Sequence, residues 1–133
     1  MITGLNHLTV AVSELDRSYE FYVNLLGFKP EGRWDKGAYL SAGELWLCLS
    51  LDSASPAKDF THYAFSIDEA KFDDYVYRLQ GVGVYSWKNN VSEGSSYYFL
   101  DPDGHKLELH CGNLTTRLDS IRKNPYSGWK SFE

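Results

Sequence analysis

The sequence runs through one succession of segments twice, and such a repeat confines the chain to folds assembled from two copies of one unit. Leu5-Asn6-His7-Leu8-Thr9-Val10 and Phe60-Thr61-His62-Tyr63-Ala64-Phe65 are both strand-like, each with histidine in third place. After the first, Ser13-Glu14-Leu15-Asp16 reads as a helix start, a hydroxyl followed three residues later by an acid. Leu15, Ser18, Tyr19, Tyr22, Leu25 and Leu26 then recur at helical spacing, and Gly27 is a natural stop. After the second, Phe72, Tyr75, Val76 and Leu79 mark a helix face that ends at Gly81. Each helix leads into three expected strands, at 29–34, 37–42 and 44–51, and near 83–88, 95–100 and 105–111. Asp101-Pro102-Asp103-Gly104 is a turn between the last two.

The expected class is therefore α+β: paired βαβββ units whose sheets make a cup with an open concave face. One domain spans 1–133, with the first unit at about 4–52, the second at about 59–112 and a tail at 113–133. Asp52 to Asp59 is the linker, and Leu114 to Lys123 reads as a helix that Pro125 ends.

Composition excludes several partners. A formal net charge of −5 argues against general nucleic-acid binding, which needs a basic face. No apolar run reaches the length of a membrane span, and the N-terminus lacks a signal-peptide pattern, so the expected location is the cytoplasm. Cys48 and Cys111 are too few for a disulfide framework and read as buried free thiols.

Strand alternation decides which side chains share a face. His7 pairs with Thr9, His62 with Ala64 and Ser66, and Glu108 with Lys106 and His110. Two imidazoles and a carboxylate suit a divalent ion such as Mn(II), Fe(II) or Zn(II). Lone strand histidines are also common as hydrogen-bonded core residues, and their equivalent places in a repeat are what favour ligation. Aligning Gly43 with Gly104 puts Leu47, which cannot bind metal, opposite Glu108; a one-residue slip puts Cys48 there. With leucine, the site has three protein ligands and open positions, as catalytic metals do. His105, in a turn, and His110, near a strand end, are weaker candidates.

The stretch from Trp87 to Tyr98 combines Lys88, several hydroxyls, Glu93 and Gly94. Such a loop can be an ordinary polar hairpin, or it can wrap a cation with oxygens while Lys88 faces an anion. Ser96 and Tyr98 share one face, and Arg117 on the tail helix could add a second positive charge for a phosphate or phosphonate.

These blocks together resemble a known family. Gly4-Leu5-Asn6-His7-Leu8-Thr9, Trp34-Asp35 with Gly37-Ala38-Tyr39-Leu40, Leu45-Trp46-Leu47-Cys48-Leu49-Ser50, Thr61-His62-Tyr63-Ala64-Phe65, Ser92-Glu93-Gly94 and the run from Tyr98 to His110 look like the FosA-type fosfomycin-resistance glutathione transferases of the vicinal oxygen chelate superfamily. The similarity extends to the Asn124-Pro125-Tyr126 tail.

The resemblance implies a homodimer in which units of two chains form each cup, with His7 from one subunit and His62 and Glu108 from the other. It implies Mn(II), with other divalent ions such as Zn(II) as alternatives, and activation by K(+). The implied reaction opens the fosfomycin epoxide with glutathione thiolate. By the same resemblance Thr9 contacts the epoxide oxygen or phosphonate beside the metal. Lys88, Ser92, Tyr98 and Arg117 bind phosphonate, Tyr39 and Trp46 line the cup, and Asn90, Ser92, Glu93, Gly94 and Ser96 form the potassium loop.

Two positions depart from the family pattern: Val91, where arginine is usual, and Phe60, where tyrosine is usual. Val91 removes a positive charge near the thiol entry. Rival readings are a fosfomycin hydrolase, a transferase using another thiol and a non-catalytic phosphonate binder. The segment Trp-Asp-Lys-Gly-Ala-Tyr-Leu at 34–40 has the transferase form rather than the hydrolase form. Thr9 stands where bacillithiol- or cysteine-using relatives usually carry cysteine.

Overall fold

Two four-stranded mixed sheets carry the same strand order, each opened by a strand that ends up at an edge. The structure is a computed structural model, and it describes residues 1–132; Glu133, the last residue of the expected tail, lies outside them. In the first sheet β1 (Leu8–Val12) lies parallel to β4 (Leu45–Leu51), followed by β3 (Gly37–Ala42) and β2 (Lys29–Trp34), in the order β1-β4-β3-β2. The second repeats it with β5 (Tyr63–Ser66), β8 (Lys106–His110), β7 (Ser96–Leu100) and β6 (Ser86–Lys88), in the order β5-β8-β7-β6. A crossover helix follows each first strand, α1 (Leu15–Glu20) and α2 (Glu69–Gly81), because parallel neighbours cannot be joined by a hairpin. α3 (Leu114–Lys123) closes the chain, capped by Asn113 and Thr116, whose side chains bond reciprocally to each other's backbone N–H.

The period-two pattern sends one face of each sheet into a shared core. Val10, Val12, Ala38, Leu40, Leu47 and Leu49 meet Tyr97, Phe99, Leu107 and Leu109, with Tyr22, Phe28 and Leu79 filling the space between. Each fully buried apolar side chain of this kind contributes about 1.5–3 kcal/mol. The opposite faces, carrying His7, His62, His110 and Glu108, are turned away from this core. No helix among the described residues is long and apolar enough to cross a membrane.

Three expectations change. Ser13 does not cap α1; Glu14 holds the N-cap position without a side-chain bond. The Ser13 hydroxyl instead donates to Asp103 at 2.5 Å, across to the turn of the other unit. α1 also widens into a π turn over Phe21–Leu25, closed by Leu26 N–H donating to Phe21 O at 3.0 Å. The wider turn brings Phe21 inward beside Tyr22, which 3.6-residue spacing did not foresee.

The third change concerns register. Thr9 pairs with Cys48 and Ala64 pairs with Glu108, so Cys48, not Leu47, occupies the place of Glu108. Leu47 faces the core with no exposure, as Leu107 does. The glycine alignment fails because Gly43 sits in a turn of two residues and Gly104 in one of five, so they mark different points of their hairpins. The ladders also make Tyr39 the counterpart of Tyr98, each one strand further across.

The Asp101–Gly104 turn joins the two units. Asp101, buried, accepts from the Tyr22 hydroxyl at 2.8 Å and from the backbone N–H groups of Asp103 and His105. Burial raises its carboxyl pKa and that of the Tyr22 hydroxyl. His105 Nε2 lies 2.7 Å from Ala11 O on β1, which gives that histidine a structural task away from the open faces.

Candidate metal and anion site

His62 sits one residue before β5, and its Nδ1 lies 2.8 Å from Phe60 O. A carbonyl only accepts, so Nδ1 carries a proton and Nε2 is the ring nitrogen left to face the open side. Nε2 lies 3.1 Å from Glu108 Oε1. Glu108 is 6% exposed, so a carboxyl oxygen and an imidazole nitrogen confront each other out of bulk water. Only a proton or a metal ion between or beside them satisfies both.

His7 shows the same preparation on the first sheet. Its Nδ1 lies 2.7 Å from Asn6 Oδ1, which frees Nε2, and its ring packs 4.2 Å from that of Trp46. Trp46 touches Tyr39 at 5.4 Å, and Tyr39 touches Trp34 at 4.8 Å, so aromatic rings run in a row across the open face. Thr9 lies exposed on that face beside Cys48. Cys48 is half-buried, with Sγ 3.8 Å from Leu49 O on its own strand.

Within one chain the structure brings His62 and Glu108 together and leaves His7 on the other sheet. Among the described residues no three of His, Cys, Asp or Glu converge on one point. The two sheets carry different donors, an imidazole on the first and an imidazole with a carboxylate on the second. Neutral nitrogen and carboxylate oxygen are the ligands that Mn(II), Fe(II) and Zn(II) accept.

Two cationic side chains, Lys88 and Arg117, stand on the carboxylate's side of the molecule. The register places Lys88, Tyr98 and Glu108 in one row across β6, β7 and β8. The Lys88 ammonium lies 4.7 Å from the Tyr98 ring centre and 5.1 Å from that of Phe60. Two aromatic faces hold the charge without neutralising it. Arg117 donates from Nε to Glu93 Oε1 at 3.1 Å and reaches Ser92 Oγ at 3.4 Å. Burial pulls its pKa down, but the bonds to Glu93 and Tyr126 more than offset this, so the guanidinium stays charged.

The loop between β6 and β7 bonds to itself. Asn90 donates to Gly94 O at 2.7 Å and accepts from Ser92 N–H at 3.1 Å. Gly94 has φ +77°, and an added Cβ would come 2.3 Å from Cys111 O. Glu93 turns to Arg117, while Ser96 turns to Glu108 at 2.6 Å and to His110 Nδ1 at 2.6 Å. Cys111 is buried and its thiol is pushed up to about 11, first by burial and then by Glu69, which keeps it inert.

Sequence reasoning undervalued His110, although its place two residues after Glu108 already put it on the same face. It missed Trp87 altogether. A register irregularity between Ser86 and Lys88 lets Trp87 turn to the same side, 5.7 Å from His62 and 5.3 Å from Tyr98, with Nε1–H donating to Leu107 O at 3.1 Å. Alternation alone predicts the opposite face, and no residue type there announces the irregularity.

Comparison with known proteins agrees with this architecture. Residues 4–109 match the model of the Glyoxalase/Bleomycin resistance protein/Dioxygenase superfamily. The glutathione transferase FosA of Serratia marcescens is 52% identical over 133 residues, covering 96% of this chain and 94% of that protein. The metallothiol transferase FosB of Shouchella clausii is 39% identical over 131 residues, covering 92% and 90%. The crystal structure of the fosfomycin resistance protein FosX from Listeria monocytogenes, complexed with Mn(II) and sulfate ion, superposes with a TM-score of 0.81 at 31% identity, covering 91% of this chain and 99% of that one. The chain belongs to the fosfomycin-resistance branch of the glyoxalase/bleomycin resistance/dioxygenase superfamily and, within it, to the FosA glutathione transferase family.

Proposed function

We propose that the protein is a metal-dependent glutathione transferase that opens the epoxide of fosfomycin by thiol addition and so confers resistance to it. The observation that carries this reading is the prepared pair on the open face, His62 Nε2 opposite Glu108 Oε1 at 3.1 Å. Glutathione as the thiol rests on the likeness to FosA, and Mn(II) on the ion in the FosX complex. The whole chain acts as one cytoplasmic domain.

In this reading two chains pair so that His7 of one subunit joins His62 and Glu108 of the other. A divalent ion held by these three residues supplies Lewis acidity to the epoxide oxygen as the C–O bond breaks. The chain's own groups do the rest. Lys88, Tyr98, Ser92 and Arg117 bind and orient the phosphonate, which fixes the epoxide carbon for backside attack. Thr9 contacts the substrate oxygen beside the ligands, and the rings of Tyr39 and Trp46 line the cup and exclude water. The thiolate sulfur bonds to carbon, the C–O pair moves to oxygen, and a proton completes the hydroxyl. Asn90, Ser92, Glu93, Gly94 and Ser96 offer oxygens for K(+), whose charge stiffens the loop carrying the phosphonate contacts.

Incubation with Mn(II), K(+), fosfomycin and glutathione, followed by phosphorus NMR, tests the function. A thiol adduct that disappears on chelation supports it. Diol without adduct means a hydrolase, and bound but unaltered fosfomycin means a binder.

Val91 sets the thiol affinity in the same reading. It is 87% exposed at the rim of the loop, where a positive charge would meet a glutathione carboxylate. Val91→Arg lowers the KM for glutathione by roughly threefold to tenfold with kcat little changed, as expected for about 1 kcal/mol from one exposed ion pair. An unchanged KM removes Val91 from the account of thiol binding.

A further inference from the structure

His110 lies between the carboxylate and the loop, hydrogen-bonded through Ser96 toward the first and facing the second across an ion-pair distance, and nothing in the reading above uses it. Ser96 Oγ lies 2.6 Å from Glu108 Oε2 and 2.6 Å from His110 Nδ1. A hydroxyl has one proton, and an ionised carboxylate can only accept, so that proton goes to Glu108. Ser96 must then accept from His110 Nδ1–H. The far side of the ring meets the loop: Nε2 lies 3.6 Å from Glu93 Oε1, which also receives Arg117. The ring is closely enclosed. A Cβ added at Gly94 would stand 3.1 Å from His110 Cε1, and one at Gly112 3.0 Å from Nε2. Both glycines have positive φ, +77° and +135°, so the backbone on either side is shaped around this imidazole.

We propose that His110 is a positioning residue for the metal carboxylate: its Nδ1–H polarises and aims the Ser96 hydroxyl, which fixes the rotamer of Glu108 and ties it to the Glu93–Arg117 loop. The inference rests on the metal reading of His62 and Glu108. Outer partners of this kind commonly carry tenfold or more in metal affinity because they hold a ligand in its bound orientation. The line also gives the loop a physical route to Glu108, through one imidazole and one hydroxyl.

The test is Mn(II) affinity, read from the electron paramagnetic resonance signal of free Mn(II) without fosfomycin or thiol. His110→Leu, which keeps apolar bulk but loses the donor, weakens Mn(II) binding by about tenfold. His110→Asn puts an amide N–H near the Nδ1 position and restores most of it. Ser96→Ala weakens binding by a similar factor, and the double variant loses clearly less than the product of the two single losses, because His110 acts chiefly through the Ser96 hydroxyl, its own Nδ1 standing 3.5 Å from Glu108 Oε2 against 2.6 Å from Ser96 Oγ. Circular dichroism checks that each variant is folded. Additive losses would overturn the proposal, as would His110→Asn binding no better than His110→Leu or wild-type affinity in folded His110→Leu. If wild-type protein binds no Mn(II), the metal reading itself fails, and that outcome is distinct from the others.

Discussion

Glu108→Gln leaves the fold standing and lowers thiol transfer by roughly a thousandfold, the factor that follows when about 4 kcal/mol of Lewis-acid stabilisation is lost. The substitution keeps side-chain volume and a carbonyl oxygen that can accept from Ser96, so the buried position stays packed. It removes the negative charge that the proposed metal site would need from the pair. The amide can still satisfy the lone pair of His62 by donating to it, which is why stability changes little while metal affinity collapses. Turnover and Mn(II) binding therefore fall together in the experiment. A folded Glu108→Gln enzyme within tenfold of wild type would mean that the carboxylate is not a ligand and that the pair with His62 is only structural. Glu108 is almost wholly buried, yet its neighbours are Ser96, His62 and His110 rather than an arginine or lysine. A carboxylate so placed has no permanently charged side chain beside it, and a divalent ion is a natural group to supply that charge.

The elements of the fold were legible because periodicity is a local property. β3 and α3 lie where alternation, helical spacing and Pro125 put them, and the repeat announced both sheets before any pairing was known. The shared side of His62 and Glu108 was legible for the same reason: one immediately precedes a strand and the other lies within one, and the faces of both strands could be counted. What failed depends on contacts between segments. Ser13 followed by Asp16 has the local signature of a helix cap, but Asp103 of the other unit takes its hydroxyl. Gly43 and Gly104 look equivalent as residues and are not equivalent as turns, so Cys48 rather than Leu47 lies on the open face of its sheet. Phe21 is buried because α1 widens, and Trp87 faces His62 because β6 slips in register. The Ser96–His110 link joins neighbouring strands, and only the ladder pairing Ser96 with His110 reveals it. The roles of Lys88 and Arg117 came from resemblance, since a lysine in a polar hairpin and an arginine on a helix carry no signature of their own.

The most consequential claim is that one site takes residues from two chains. Its expectation is quantitative. His7→Ala and His62→Ala each lose a metal ligand in every cup of a homodimer, so each variant alone has no more than about a hundredth of wild-type turnover, by the same loss of Lewis-acid stabilisation. When the two are refolded together in equal amounts, half of the dimers are mixed. In a mixed dimer one cup lacks both histidines and the other retains both, because two-fold symmetry gives each cup one His7 and the partner's His62. One intact cup in half of the dimers restores about a quarter of wild-type activity. The measurement is the glutathione-dependent consumption of fosfomycin by that mixture, against each variant alone. Recovery to about a quarter is the predicted result. A mixture as inactive as its parents, with mixed dimers verified by native mass spectrometry, would contradict the shared site.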